Sequence, residues 1–206
     1  IYKTLMLLTN HRGAGLVGAL VFMLNPNILY LQATPMTELP LIVFFVVSSY
    51  FFVKFIERER ILDLIYAGCF GFCATLTRYD GWFLIMAQAG LLVSWSDIVT
   101  AWDGERWRKL EGVLIMFSTI AGFGIVLWLV WDWLILGDPL YFTHSQFSAK
   151  SQQQGWLAKG QLPAYYDAWL SFKYYFVTSM SNIGVVMTIL AVAGFSSYLR
   201  KISLKK

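Results

Sequence analysis

The amino-acid sequence predicts an all-α fold, a polytopic bundle of transmembrane helices, and three observations lead to that class. Of the 206 residues, 58% are hydrophobic and only 14% are charged, whereas soluble domains carry about 25% charged residues. The apolar residues form runs that approach the roughly 20 residues needed to cross a bilayer. Lysine and arginine concentrate in alternate connections between these runs, as the positive-inside rule describes.

The apolar runs predict about six complete spans after a partial one at residues 1–8. The complete spans are expected at residues 13–31, 39–55, 61–77, 82–95, 113–136 and 172–199. Because the chain opens in the middle of an apolar pattern, we expect it to be N-terminally incomplete, or else a short natural form. We expect residues 1–206 to form a single transmembrane domain with an extracytoplasmic loop at 137–171.

The basic residues predict the orientation of the spans. Most of them fall in one set of connections, which the positive-inside rule assigns to the cytoplasm together with the C-terminus. That set comprises Lys3, Arg12, Lys54, Arg58, Arg60, Arg106, Arg108, Lys109, Arg200, Lys201, Lys205 and Lys206. The other side holds Arg78, Lys150, Lys159 and Lys173. The net charge of +4 is therefore explained by cytoplasmic loops, and no basic helix or stacking motif indicates a nucleic-acid partner.

Three polar turns fall on the predicted extracytoplasmic side and supply the candidate substrate-binding residues. "ATPMTELP" contains Glu38, "TLTRYDGW" contains Arg78 and Asp80, and "LGDPLYFTH" contains Tyr141 and His144. Ionisable groups cost about 2.5–3.5 kcal/mol each at mid-bilayer and less near the interface. Their convergence on one face predicts a site that binds a phosphate through arginine and orients hydroxyls through carboxylates.

Each turn also has a purely structural explanation, which the sequence leaves open. Thr37 and Glu38 would suit the N-terminus of a helix as capping residues. Arg78 and Asp80 could simply pair at an interfacial turn, and His144 could be a solvated loop histidine. The long polar loop could cover the site or be disordered. A divalent metal could bridge a phosphate and carboxylates, but no ligand spacing demands one, and Cys69 and Cys73 are expected to be packing thiols.

The ordered set of motifs resembles a known superfamily. "NHRGAGLVGALVFMLNP", "NPNILYLQATPMTELPLIVFF", "LTRYDGWFL" and "WLILGDPLYF" follow one another in the order and spacing of GT-C polytopic glycosyltransferases. The branch that they resemble contains protein O-mannosyltransferases and aminoarabinose transferases of bacteria and archaea. The resemblance covers roughly residues 1 to 150 and implies an integral protein of a prokaryotic inner membrane.

The resemblance implies transfer of a sugar from a polyprenyl-phosphate donor on the outer face of the membrane. Glu38 matches the acidic position that follows the NP-containing span, and Arg78 and Asp80 match the turn facing the donor. Arg78 would stabilise the leaving phosphate, with Lys150 or Lys159 as second candidates. The family's catalytic base lies on a loop after a first span that this sequence lacks. No residue here is therefore assigned to that role, and hexosyltransferase activity is expected only if the missing loop exists.

Two other functions stay open at this point. A transporter would gather charges near the bilayer midplane, whereas the charges here stand at span ends, which argues against transport. The stronger alternative is a non-catalytic GT-C-like subunit that serves as a scaffold or accessory in a larger membrane complex. Membrane lipids and other membrane subunits would then be its partners.

Overall fold

The computed structural model of the chain describes residues 1–99, 104–146 and 148–203. Within these residues the regular structure is entirely helical, which confirms the predicted all-α class. The helices are α1 (Tyr2–Thr9), α2 (Arg12–Met23), α3 (Pro26–Gln32), α4 (Glu38–Arg58), α5 (Ile61–Thr77), α6 (Asp80–Val99), α7 (Gly104–Leu136), α8 (Tyr141–His144), α9 (Ala149–Ala158), α10 (Ala168–Ile183) and α11 (Val185–Ser203).

The chain forms two compact units, Ile1–Tyr141 and Phe142–Lys206. The first contains the closely packed helices α4 to α7, and the second contains α9 to α11. The single domain expected over residues 1–206 stays a prediction. Lys205 and Lys206, which belong to the predicted cytoplasmic set, lie outside the described residues.

Helices α4 and α5 form an antiparallel hairpin. Helix α4 begins at Glu38, where an acidic side chain suits the positive end of the helix dipole, and its last turn contains Arg58. Glu59 adopts a left-handed conformation with φ 52° and reverses the chain. Across the hairpin, Lys54 Nζ lies 2.6 Å from Asp63 Oδ1. The pair therefore ties the two helices together one turn from the reversal.

Helix α7 packs parallel to α5 through small residues. Gly68 of α5 lies against Ile120 of α7, and Gly124, further along α7, lies against Thr75, further along α5. A Cβ on Gly124 would overlap the Thr75 hydroxyl, so glycine is required for this approach. Close packing through small residues is common between helices in membranes.

The core of this unit fills the space between α4, α5, α6 and α7. Its buried side chains are Phe52, Phe55, Leu64, Ala67, Ile85, Leu92, Val113, Phe117 and Ala121. The packing gives the bundle two distinct ends. The Arg78 end carries the start of α4, the α5–α6 turn and the C-terminus of α7. The Lys54 end carries the α4–α5 turn and the start of α7, where Lys109 Nζ lies 3.1 Å from Glu59 Oε2.

The outer surface of the bundle is strongly apolar. Phe83, Trp131 and Leu134 are 66%, 65% and 70% exposed. A soluble protein buries most of its largest apolar side chains, whereas a lipid-facing surface exposes them. The surface agrees with the prediction of an integral membrane protein.

By length and composition, two described helices could each cross a membrane, Glu38–Arg58 and Trp107–Leu136. The number rises to four if two bent pairs each count as one span. These pairs are Arg12–Met23 with Pro26–Gln32, bent by 59°, and Ala168–Ile183 with Val185–Ser196, bent by 102°. The apolar helices Ile61–Thr77 and Asp80–Ser94 are shorter. The predicted count of six spans is therefore not confirmed.

The second unit contains the sharpest break in the predicted spans. Residues 172–199 were expected to form one span, but α10 ends at Ile183, and Gly184 has φ 89° and ψ 140° before α11 begins. A positive φ is accessible to glycine without steric cost, so Gly184 permits the bend. The predicted loop 137–171 contains α8 and α9. Helix α9, the segment after it and α10 form a groove of about 480 Å³ lined by residues that include Gln153, Tyr165 and Tyr174.

Candidate functional site

The structure brings together Glu38, Arg78 and Asp80, three of the predicted site residues. Arg78 Nη1 lies 2.5 Å from Glu38 Oε1, and Arg78 Nε lies 2.8 Å from Asp80 Oδ2. Nη1 also lies 3.5 Å from the Thr37 hydroxyl. We call these four residues the Arg78 cluster. It joins the start of α4 to the α5–α6 turn, although Glu38 and Arg78 are 40 positions apart in the chain.

The local sequence builds this turn around Gly81. Arg78 ends α5 in an extended conformation, and the amide of Gly81 donates to the Arg78 carbonyl at 3.0 Å. A Cβ on Gly81 would overlap the carbonyl group of Ala74, so a larger residue would push α6 away from α5. The glycine therefore keeps Asp80, the first residue of α6, within reach of the Arg78 side chain.

The predicted capping role of Thr37 is not observed. Within the described part of the chain, Thr37 makes no side-chain capping hydrogen bond at the start of α4. Its hydroxyl lies instead near the Arg78 guanidinium. Glu38 does stand in the first turn, where the helix dipole favours a carboxylate. The structure thus supports both explanations for Glu38, because the same carboxylate serves the helix end and the ion pair.

The cluster is partly open to its surroundings. The side chains of Arg78, Glu38 and Asp80 are 29%, 39% and 45% exposed. The hydrogen bond from Arg78 to Asp80 raises the pKa of the guanidinium, and the charges of Asp80 and Glu38 add to this effect, while partial burial opposes it. Arg78 therefore stays positively charged. Among the described residues, Arg78 forms its ion pairs through Nε and Nη1 only, so both N–H groups of Nη2 remain for a ligand.

The other predicted binding residues, Tyr141 and His144, are the first and last residues of α8. Tyr141 stands at the start of α8 and is 37% exposed. His144 Nδ1 lies 3.0 Å from the Thr143 hydroxyl, and His144, Lys150 and Lys159 belong to the second compact unit. Their positions relative to Arg78 stay predictions. Over the residues that the structure describes, no group of three or more metal-binding side chains occurs.

Several buried polar residues were missed by the sequence reasoning. Gln88 Nε2 donates to the Ser48 hydroxyl at 3.1 Å in the middle of the bundle, and both residues are buried. Asp63 is 3% exposed and pairs with Lys54. Asp132, on α7, is 7% exposed. An ionisable or amide side chain inside an apolar run is the signal that could have found them, because such groups are costly in a span.

Comparison with known proteins identifies the family. Residues 1–135 match the family model described as dolichyl-phosphate-mannose-protein mannosyltransferase. The chain belongs to this family. Neither the curated proteins nor the solved structures gave a match. Family membership confirms the resemblance to GT-C enzymes and identifies an integral membrane protein of the glycosyltransferase type. The matched region contains the Arg78 cluster and ends before α8.

Proposed function

We propose that this protein transfers a hexose from a polyprenyl-phosphate donor to an acceptor on the extracytoplasmic face of a prokaryotic inner membrane. The Arg78 cluster holds the donor phosphate. The C-terminus of the chain is then cytoplasmic, and the apolar faces of the spans accommodate the prenyl tail. Family membership supports the glycosyl transfer, and the position of Arg78 supports the choice of phosphate site.

The observation that carries this proposal is that the Arg78 guanidinium is held in place by two carboxylates and still has unused N–H donors. Glu38 and Asp80 hold Nη1 and Nε, and so fix the plane of the group, while Nη2 keeps two donors for an anion. Arginine is suited to phosphate because its planar donors match the phosphate oxygens. The two carboxylates leave the cluster with one excess negative charge. Because the cluster is partly exposed, water screens that negative charge. The affinity for phosphate then depends mainly on the N–H groups of Nη2.

The chemistry of the leaving group gives Arg78 its role. As the bond from the sugar to the phosphate oxygen breaks, negative charge grows on the phosphate, and a fixed cation stabilises that charge. A guanidinium already oriented by two carboxylates needs no rearrangement at that moment. Glu38 and Asp80 also offer acceptor oxygens to sugar hydroxyls. The base that takes the acceptor proton is not assigned to a residue of this chain.

A transfer assay tests this proposal. The protein is reconstituted in nanodiscs with a polyprenyl-phosphate hexose, and release of polyprenyl phosphate is measured. Removing a group that stabilises developing charge typically costs about 100- to 1,000-fold in rate, and we expect a loss of that order for Arg78→Ala. Lys109→Ala is the matched control, since it removes the basic partner of an ion pair at the Lys54 end. Its rate should stay within about twofold of wild type.

Equal rates for the Arg78→Ala variant and wild type would overturn the assignment of the phosphate site. A wild-type protein that binds the donor but never transfers the sugar would instead favour the non-catalytic subunit. Adding Mg²⁺ or Mn²⁺, or removing it with a chelator, tests the metal alternative in the same assay. Activity that depends on the metal and is insensitive to Arg78 would place the phosphate on a cation instead.

A further inference from the structure

Helix α7 carries two buried polar atoms for which the described residues supply no hydrogen-bond partner, Trp128 Nε1 and Asp132 Oδ2. One is an obligatory donor and the other an acceptor. The residues stand four positions apart, so their side chains are neighbours on one face of the helix. Buried polar groups in folded proteins are nearly always hydrogen-bonded, and a buried carboxylate without a partner is especially unfavourable. The two atoms are therefore candidates to bind a polar group, either an ordered water or part of a ligand.

Asp132 faces the interior of the bundle, and the Nε1 atom of the partly exposed Trp128 is buried as well. Asp132 is 7% exposed, while its neighbours Trp131 and Trp133 are 65% and 60% exposed. It continues the face of α7 on which Phe117 and Ala121 are fully buried. The carboxylate of Asp63 is also buried and its Oδ2 likewise lacks a partner among the described residues, but its Oδ1 pairs with Lys54.

The packing of α7 against α5 gives the position of the pair along the bundle. Gly124 of α7 lies against Thr75 of α5, and the two helices run in the same direction. Four further residues of α7 advance about 6 Å, which brings Trp128 to the level of Arg78, the residue that follows α5. Asp132 stands one turn further. The pair therefore belongs to the Arg78 end of the bundle.

We propose that Trp128 and Asp132 bind a hydroxyl group of the donor's sugar. The indole N–H donates to the hydroxyl oxygen, and the hydroxyl donates to the Asp132 carboxylate. A hydroxyl both accepts and donates hydrogen bonds, whereas a metal ion or an ammonium group would leave the indole N–H facing a positive charge. This inference rests on the proposed function, because a phosphate held by Arg78 brings the attached sugar to the same end of the bundle.

A binding experiment separates the sugar from the phosphate. Wild type and variants in nanodiscs are titrated with polyprenyl phosphate and with polyprenyl-phosphate hexose, and Kd is measured by native mass spectrometry. Wild type should bind the hexose-bearing lipid about tenfold more tightly, a ratio typical of hydrogen bonds to a charged group. Trp128→Phe, which keeps an aromatic ring and removes the N–H, should abolish this ratio, and Asp132→Asn should reduce it. Neither should change the affinity for polyprenyl phosphate by more than about twofold.

Trp131→Phe and Trp133→Phe are the matched controls, because both indoles stand on the exposed side of α7. They should keep the wild-type ratio. A wild-type ratio of one, or an unchanged ratio in both Trp128→Phe and Asp132→Asn, would overturn this inference while leaving the phosphate site intact. If Trp128→Phe and Asp132→Asn lowered the melting temperature but left the ratio of the two lipid affinities unchanged, the pair would hold a structural water. That result would also overturn this inference. Failure of wild type to bind polyprenyl phosphate would overturn the proposed function, and this inference with it.

Discussion

The two ends of the bundle use the same kind of ion pair in different surroundings. At the Lys54 end, the side chain of Asp63 is 4% exposed and pairs with Lys54 across the α4–α5 hairpin. At the Arg78 end, one guanidinium is shared between two carboxylates that are 39% and 45% exposed. The buried pair fastens two helices. The open cluster keeps N–H donors of Arg78 that no carboxylate uses. Burial and unused hydrogen-bond donors therefore distinguish an ion pair that stabilises the fold from one that can bind a ligand.

The largest stability effect is expected from breaking the buried pair. Lys54→Ala leaves the Asp63 carboxylate buried without its cation, and removal of one partner of a buried pair costs about 3–5 kcal/mol. Because Lys54 is itself 20% exposed, we expect the lower end of that range, about 3 kcal/mol. The free energy of unfolding, measured by denaturant titration in mixed micelles, checks the value. Transfer activity per folded molecule should stay at the wild-type level.

Lys109→Ala is the control for that measurement, because its pair with Glu59 is exposed on both sides. Exposed ion pairs contribute about 0–1 kcal/mol, so this variant should unfold almost like wild type. Equal losses in Lys54→Ala and Lys109→Ala would show that burial does not distinguish the two pairs.

A smaller loss is expected from Gly81→Ala at the Arg78 end. The new methyl group would overlap the carbonyl of Ala74, and overpacking of this kind costs about 1–3 kcal/mol. The displaced α6 would also draw Asp80 away from Arg78, so transfer should fall together with stability. Both are measured on the same preparation.

The control for Gly81→Ala is Gly90→Ala on the same helix. No described atom lies within 4 Å of a Cβ built at Gly90, so this change should be neutral or stabilise the helix by up to about 1 kcal/mol. If both variants lost stability equally, the close contact at Ala74 would not be the cause.

The sequence predicted the helical class, the membrane location and three of the four residues of the Arg78 cluster; Thr37 was predicted only as a helix cap. The cluster was predictable because Glu38, Arg78 and Asp80 each interrupt an apolar run at its end. The pairing of Arg78 with Asp80 was also anticipated, as the structural alternative, but the ion pair between Arg78 and Glu38 was not, since it joins residues 40 positions apart in the chain. The bend at Gly184 was also missed. The sequence stays apolar on both sides of this glycine, and hydropathy does not reveal its positive φ. Asp132 was overlooked because a single carboxylate barely alters the apolar average of its span.

The smallest expected effect is the pH dependence of the stability that Arg78 contributes. A group whose folded-state pKa is raised stabilises the fold at every pH below its unfolded pKa and loses that contribution only as pH rises through the folded value. The pKa of Arg78 is raised from an already high value, so it stays charged from about pH 6 to about pH 9. The difference in melting temperature between wild type and Arg78→Gln should therefore be constant over that range. A difference that changed steadily with pH would mean that the cluster's stability is governed by another titrating group.

The most direct test of the phosphate site compares polyprenyl phosphate with the corresponding polyprenol, which has the same tail and no phosphate. Binding of both lipids to wild type and to Arg78→Ala is measured in nanodiscs. Wild type should prefer the phosphate by about tenfold or more, as expected for charge-assisted hydrogen bonds, and Arg78→Ala should bind both lipids equally. The same preference in both proteins would contradict the central claim that Arg78 holds the donor phosphate.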